Sequence, residues 1–201
     1  MSDNENLIGK NILIIGLSNP ISITLGDFLT KLGCQVHLAD MSNRTLKESA
    51  SIIKKQNGIT VKIHPTDLSE KINIAVLALE CEDVDIIINT FNSTTVNDLH
   101  ELEYEQWRDN LGTTLFTAMN IAEEFLENID EQRNLIIVNV GSKVKKNDDE
   151  SLGAIVMNSA LVALSEALNN KAKNRGVRVI SFIPDAGVCE IENATDLLQF
   201  F

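Results

Sequence analysis

The chain has 201 residues, 44% of them apolar, and a formal charge of −12 at pH 7. A chain of this length buries roughly 70% of its unfolded surface, so one domain over residues 1–201 can stand without disulfides or metal. The acidic balance excludes a nucleic-acid partner, which needs clustered basic side chains, and no apolar run approaches the ~18 residues of a membrane span.

The opening Met1-Ser2-Asp3-Asn4-Glu5-Asn6 is acidic and polar, unlike a secretory signal. Cys34, Cys81 and Cys189 lie far apart with no Cys-x-x-Cys pair, so they read as small buried hydrophobes in a reducing compartment. A cytoplasmic protein is expected.

In chain order, short apolar runs alternate with helical patterns. Strands are expected at Asn11–Ile15, Gln35–Ala39, Thr60–His64, Asp85–Asn89, Leu135–Val140 and Val177–Ile183. Between them lie helices at about Ile21–Leu32, Arg44–Gln56, Leu68–Glu80, Asp98–Asn128 and Ser151–Asn174. Strands apolar throughout belong in a parallel sheet covered on both faces. The alternation therefore predicts an α/β, Rossmann-like doubly wound parallel sheet in three αβα layers, with six strands.

The stretch Asn11–Thr24 organises the rest. Its strand runs into Gly16, and Ser18 or Asn19 caps a helix with Pro20 at the first helical position. A helix N-terminus of this kind suits a phosphate. The helix at Ser151–Asn174 is apolar around well over half its circumference, which predicts a subunit interface.

Order and spacing from Gly9 to Val188 resemble the short-chain dehydrogenase/reductase family. Gly16 is retained from the family's Gly-x-x-x-Gly-x-Gly loop, although Pro20 and Ser22 replace its later glycines. In the enoyl-reductase form of that loop, Gly16 followed by Ser22-Ile23 matches well. Asp40 closes the second strand where a family carboxylate holds the adenosine ribose, an acid that favours NAD over NADP; a capping or solvated aspartate is the other reading. Asp67-Leu68 resembles the pair that contacts adenine, but Asp67 could equally cap a helix at Leu68. Asp85-Ile-Ile-Ile-Asn89-Thr-Phe-Asn resembles Asp-x-x-x-Asn-Asn-Ala-Gly in Asn89 and departs from it at Thr90, Phe91 and Asn92. The resemblance thus implies cofactor contacts at Gly16, Ser18, Ile21, Ser22, Asp40, Asp67, Leu68 and Asn89.

Ile136-Ile-Val-Asn-Val-Gly-Ser142 resembles the segment whose serine orients the substrate carbonyl, so Ser142 is the retained catalytic candidate. The family's tyrosine and lysine fall at Ala154 and Asn158, or at Ser151 and Asn158 under the wider enoyl-reductase spacing. A phenol with pKa near 10 works at neutral pH only beside a fixed positive charge, and the one tyrosine of the chain, Tyr104, sits before the fifth strand. The family's helix asparagine falls at Thr114, or at Asn110 with a gap. Pro184-Asp185 replaces Pro-Gly, and Asp185 either repels a pyrophosphate or faces solvent. Residues 188–201 are too short for a substrate lobe and a seventh strand, so the C-terminus is shortened, and Phe200 and Phe201 should pack against protein.

The resemblance implies a degenerate member that acts as a non-catalytic subunit, sensor or scaffold, with weak NAD binding or no cofactor. The alternative is an NAD(P)-dependent oxidoreductase with a non-standard active site. The implied partner is a second copy or an active relative, met through helices 98–128 and 151–174. His37, His64 and His100 show no ligand spacing, so no metal is expected. Lys143, Lys145 and Lys146, followed by Asp148-Asp149-Glu150, read as a solvated loop, and Lys143 is a weak stand-in for the missing lysine.

Overall fold

The computed structural model describes residues 7–91, 104–128, 133–143 and 152–201. Asn92, His100, Lys145, Lys146, Asp148, Asp149, Glu150, Ser151 and the first residues of the expected 98–128 helix lie outside them.

Six parallel strands run β1 (Asn11–Ile15), β2 (Gln35–Asp40), β3 (Lys62–Pro65), β4 (Ile86–Asn89), β5 (Leu135–Val140) and β6 (Val177–Phe182). Their order is β3-β2-β1-β4-β5-β6, a doubly wound sheet whose order reverses between β1 and β4. Such a reversal opens a crevice at the carboxyl ends of the two strands.

The helices are α1 (Pro20–Lys31), α2 (Asn43–Asn57), α3 (Lys71–Glu80), α4 (Tyr104–Leu111), α5 (Thr117–Asn128), α6 (Leu152–Ala172) and α7 (Glu190–Leu198). A π-helical turn at Gly112–Phe116 joins α4 to α5. Such a turn spares one intrahelical hydrogen-bond register and is often found at functional sites.

Strand side chains alternate between two cores, as the pleat requires. Ile12, Ile14, Val36, Leu38, Ile86, Ile88, Val138 and Val140 meet α1, α2 and α7 through Leu25, Leu29, Leu46, Ile53 and Leu197. Leu13, Ile15, Ala39, Ile87, Ile137, Val177 and Val179 meet α3, α5 and α6 through Ile74, Leu77, Ile121, Phe125 and Leu168. Each fully buried Leu or Ile contributes about 1.5–3 kcal/mol.

Three sequence expectations need correction. Helix α3 begins at Lys71 instead of Leu68, because Leu68 drops into the core and forms a turn with Ser69 ahead of the helix. Asp67 accordingly caps no helix; it accepts hydrogen bonds from the Ser69 N–H at 3.0 Å and the Ser69 hydroxyl at 2.7 Å. The long helix is broken in register by the π turn, which period counting does not reveal. The chain's last residues behave as expected: Phe182 and Phe200 meet edge to face at 6.2 Å, and Phe201 packs against the core.

Candidate functional site

Gly16, Asp40, Asn89 and Ser142 gather at the carboxyl edge of the sheet, in the family's order. Gly16 has φ +85°, a conformation open to glycine at little cost. A Cβ there would meet the Phe91 backbone nitrogen at 2.6 Å, so the chain leaving β4 lies directly on the turn that leaves β1.

Asn19 caps α1, its Oδ1 accepting from the Ile21 N–H at 3.2 Å, while its carbonyl accepts from the Ser22 N–H at 3.0 Å. Pro20 has no donor. The Gly16 N–H is taken by the Ala39 carbonyl, and the Leu17 N–H by Asp40 Oδ2 at 2.8 Å. Among the described residues, the donors of this turn that remain for an anion are the N–H groups of Ser18 and Asn19 and the exposed Ser18 hydroxyl.

Asp40 is 3% exposed. Its second oxygen accepts from the Ser42 N–H at 2.8 Å, so the carboxylate ties the β1 turn to the start of α2. It is neither a helix cap nor a solvated side chain; Ser42 is the cap of α2. Ser22 donates to the Gly16 carbonyl at 2.8 Å and lies 2.7 Å from the Thr90 hydroxyl, which also bonds the Ile15 and Gly16 carbonyls. Ile21 and Leu68 are fully buried in the core.

Asn89 Oδ1 accepts from the Phe91 N–H, and its amide donates to Asn139 Oδ1 at 3.0 Å, whose own amide reaches the Ser165 hydroxyl at 3.0 Å. This polar line crosses β4, β5 and α6, with Asn89, Asn139 and Ser165 all buried. The Phe91 ring turns toward the core of α3, α5 and α6. Of the eight expected cofactor contacts, then, Ser18 and Asp67 alone present an exposed side chain.

Helix α6 sets Ala154 and Asn158 one turn apart, and Asn158 lies against Ser142. Its Oδ1 accepts from the Ser142 N–H at 2.9 Å and its amide donates to the Ser142 carbonyl at 2.8 Å. Gly141 makes the room for this clip, since a Cβ there would come within 2.5 Å of Asn158 Oδ1. Asn158, where the family resemblance expects the lysine, therefore holds backbone and carries no charge. Lys143 pairs with Glu190 Oε1 at 2.6 Å, at the start of α7. Tyr104 is 77% exposed at the first residue of α4. Thr114 and Asn110 are both buried, with Thr114 on the π turn. Asp185 faces solvent and accepts from the Gly187 N–H at 2.6 Å.

One cluster escaped sequence reasoning. His37, His64 and Cys81 bring their ligand atoms within 4.8 Å of one another, on the α3 face of the β2–β3 edge. Sequence spacing does not show this cluster, because it is the parallel pairing of β2 with β3 that brings His37 and His64, 27 residues apart, onto one face.

Among known proteins, the family model described as short chain dehydrogenase matches residues 10–196. The fatty acyl-CoA reductase of Acinetobacter baylyi is 25% identical over 185 residues, a match covering 88% of this chain and 62% of that protein. A short chain dehydrogenase from Mycobacterium smegmatis superposes with a TM-score of 0.83 at 19% identity, covering 96% of this chain and 85% of that one. A metagenomic short-chain oxidoreductase in complex with NADP superposes at 0.80 with 20% identity, covering 99% of this chain and 91% of that one.

Proposed function

The chain belongs to the short-chain dehydrogenase family of oxidoreductases, and from that premise we propose that it is a member without the family's proton-transfer pair, serving as a non-catalytic subunit or sensor that holds NAD weakly. The observation that carries this is the Asn158 clip on Ser142: the side chain that would position ribose and lower a phenol pKa is an amide spent on backbone. General acid/base catalysis contributes about 10²–10⁴-fold, and Ala154 offers none of it.

The residues fit the cofactor in part. Ser18 and Asn19 offer donors for a phosphate, and Asp67, at the place that resembles the family's adenine contact, is exposed. At the ribose position Asp40 is 3% exposed and each of its oxygens already accepts one backbone N–H, which leaves the carboxylate less open to ribose hydroxyls. The buried negative charge of Asp40 favours NAD over the additional phosphate of NADP. A second copy, or a catalytically active relative, docks on α5 and α6, supported by the exposure of Phe116, Ile155 and Val156.

A second reading, an NAD(P)-dependent oxidoreductase that uses Ser142 with water or a substrate group as proton donor, draws support from the names of the relatives, which are reductases and dehydrogenases. The family comparison favours this class more directly than it favours a lapsed activity. The experiment is cofactor oxidation monitored with 3-oxoacyl thioester and aldehyde substrates. The first reading predicts no turnover by the native chain; turnover that disappears in Ser142→Ala establishes the second.

A further inference from the structure

We propose that His37, His64 and Cys81 form a binding site for a zinc-like divalent cation, fastening the C-terminal end of α3 to the β2–β3 edge. His37 Nδ1 and His64 Nε2 lie 3.2 Å apart, and Cys81 Sγ is 3.7 Å from each. Tetrahedral zinc, with bonds of about 2.0–2.1 Å to nitrogen and 2.3 Å to sulfur, needs edges of roughly 3.3 Å between nitrogens and 3.6 Å between nitrogen and sulfur. The three atoms already stand at the corners of such a face.

His37 and Cys81 are each 1% exposed, and His37 turns its Nδ1 into the cluster. His64 is oriented from behind: its Nδ1 meets Glu80 Oε2 at 2.9 Å, the carboxylate–imidazole arrangement that steers a ligand histidine. With Nδ1–H given to Glu80, the Nε2 lone pair points into the cluster. The two rings lie near-parallel, 8° apart, with centroids separated by 5.3 Å.

When a divalent cation binds, the metal–sulfur bond forms as the Cys81 S–H bond breaks, and one proton leaves to solvent. A water completes the tetrahedron.

Cobalt(II) added to metal-free protein should bind one equivalent per chain, with near-UV thiolate charge transfer and the visible bands of a tetrahedral centre. Both signals should vanish in Cys81→Ala and in His64→Gln and persist in Cys34→Ala and Cys189→Ala. His64→Gln alters a partly exposed ring and decides the matter if Cys81→Ala does not fold. Stoichiometric zinc should also raise the thermal midpoint of the native chain and leave that of His64→Gln unchanged. Absence of the thiolate band, or its survival in His64→Gln, overturns the site.

Discussion

At the scale of single residues, the cleft is furnished with family side chains that have been turned inward. Asp40 is the clearest: its two backbone hydrogen bonds make it a structural clamp. Asp40→Asn retains one acceptor and points an amide donor at an N–H, which should cost about 1–3 kcal/mol in denaturant unfolding. Unchanged stability combined with a loss of cofactor affinity would mean that the carboxylate faces ribose instead. Gly16→Ala meets two penalties, a positive φ worth about 1 kcal/mol and a clash with the Phe91 backbone worth about 1–3 kcal/mol, so the variant should unfold at clearly lower denaturant. The thiols give an independent check on burial. Cys34 is held near 11 by desolvation, above its ordinary 9.0, and Cys81 near 12, so both stay protonated at pH 8. Cys189 is exposed. A chromogenic thiol reagent should titrate one fast cysteine in the native chain and two more only on unfolding; three fast thiols would contradict the burial described.

At the scale of elements, the helices divide by what they cover. The outer side of α6 carries Ile155 and Val156, 44% and 41% exposed, beside the small Ser159 and Ala163. Phe116, on the π turn before α5, is 58% exposed. If a second copy docks there as proposed, Ala163→Glu or Phe116→Asp should convert a dimer to monomer in sedimentation; a native chain already monomeric at micromolar concentration would contradict a self-interface. The element pattern was legible wherever one periodicity ruled. Strands β1 and β5 stand at the residues their apolar runs indicate, and α1 and α2 lie within a residue or two of theirs. It failed where tertiary contact overrode local pattern. Leu68 looks like a first helical residue and is a core residue, and the π turn leaves no mark in side-chain period. The site was legible in its landmarks, Gly16, Asp40, Asn89 and Ser142, because family spacing places them. The direction each side chain faces was not, since it depends on partners such as Leu17, Thr90 and Asn139 that only strand pairing brings near. The histidine–cysteine cluster is illegible for the same reason.

At the scale of the whole molecule, α7 follows the sixth strand of the sheet. Helix α7 packs on α1 and closes one core with Ala194, Leu197 and Leu198, while Arg178 on β6 donates to the Phe200 carbonyl at 3.2 Å. Leu197 is fully buried, so Leu197→Ala should cost about 2–5 kcal/mol in urea unfolding; a cost below about 1 kcal/mol would mean that α7 is dispensable. Among the described residues no helix is long and apolar enough to cross a membrane. What distinguishes the molecule is a well-kept fold around a cleft whose polar groups satisfy one another: Asp40 with Leu17 and Ser42, Ser22 with Gly16, Asn89 with Asn139, and Asn158 with Ser142. Among the described residues, a dinucleotide entering that cleft finds few free donors, and Lys143 is paired with Glu190. Calorimetric titration of the native chain with NADH tests this most directly. The account predicts a dissociation constant of about 1 mM or weaker, near 4 kcal/mol of binding free energy; saturable binding at about 1 μM would contradict it.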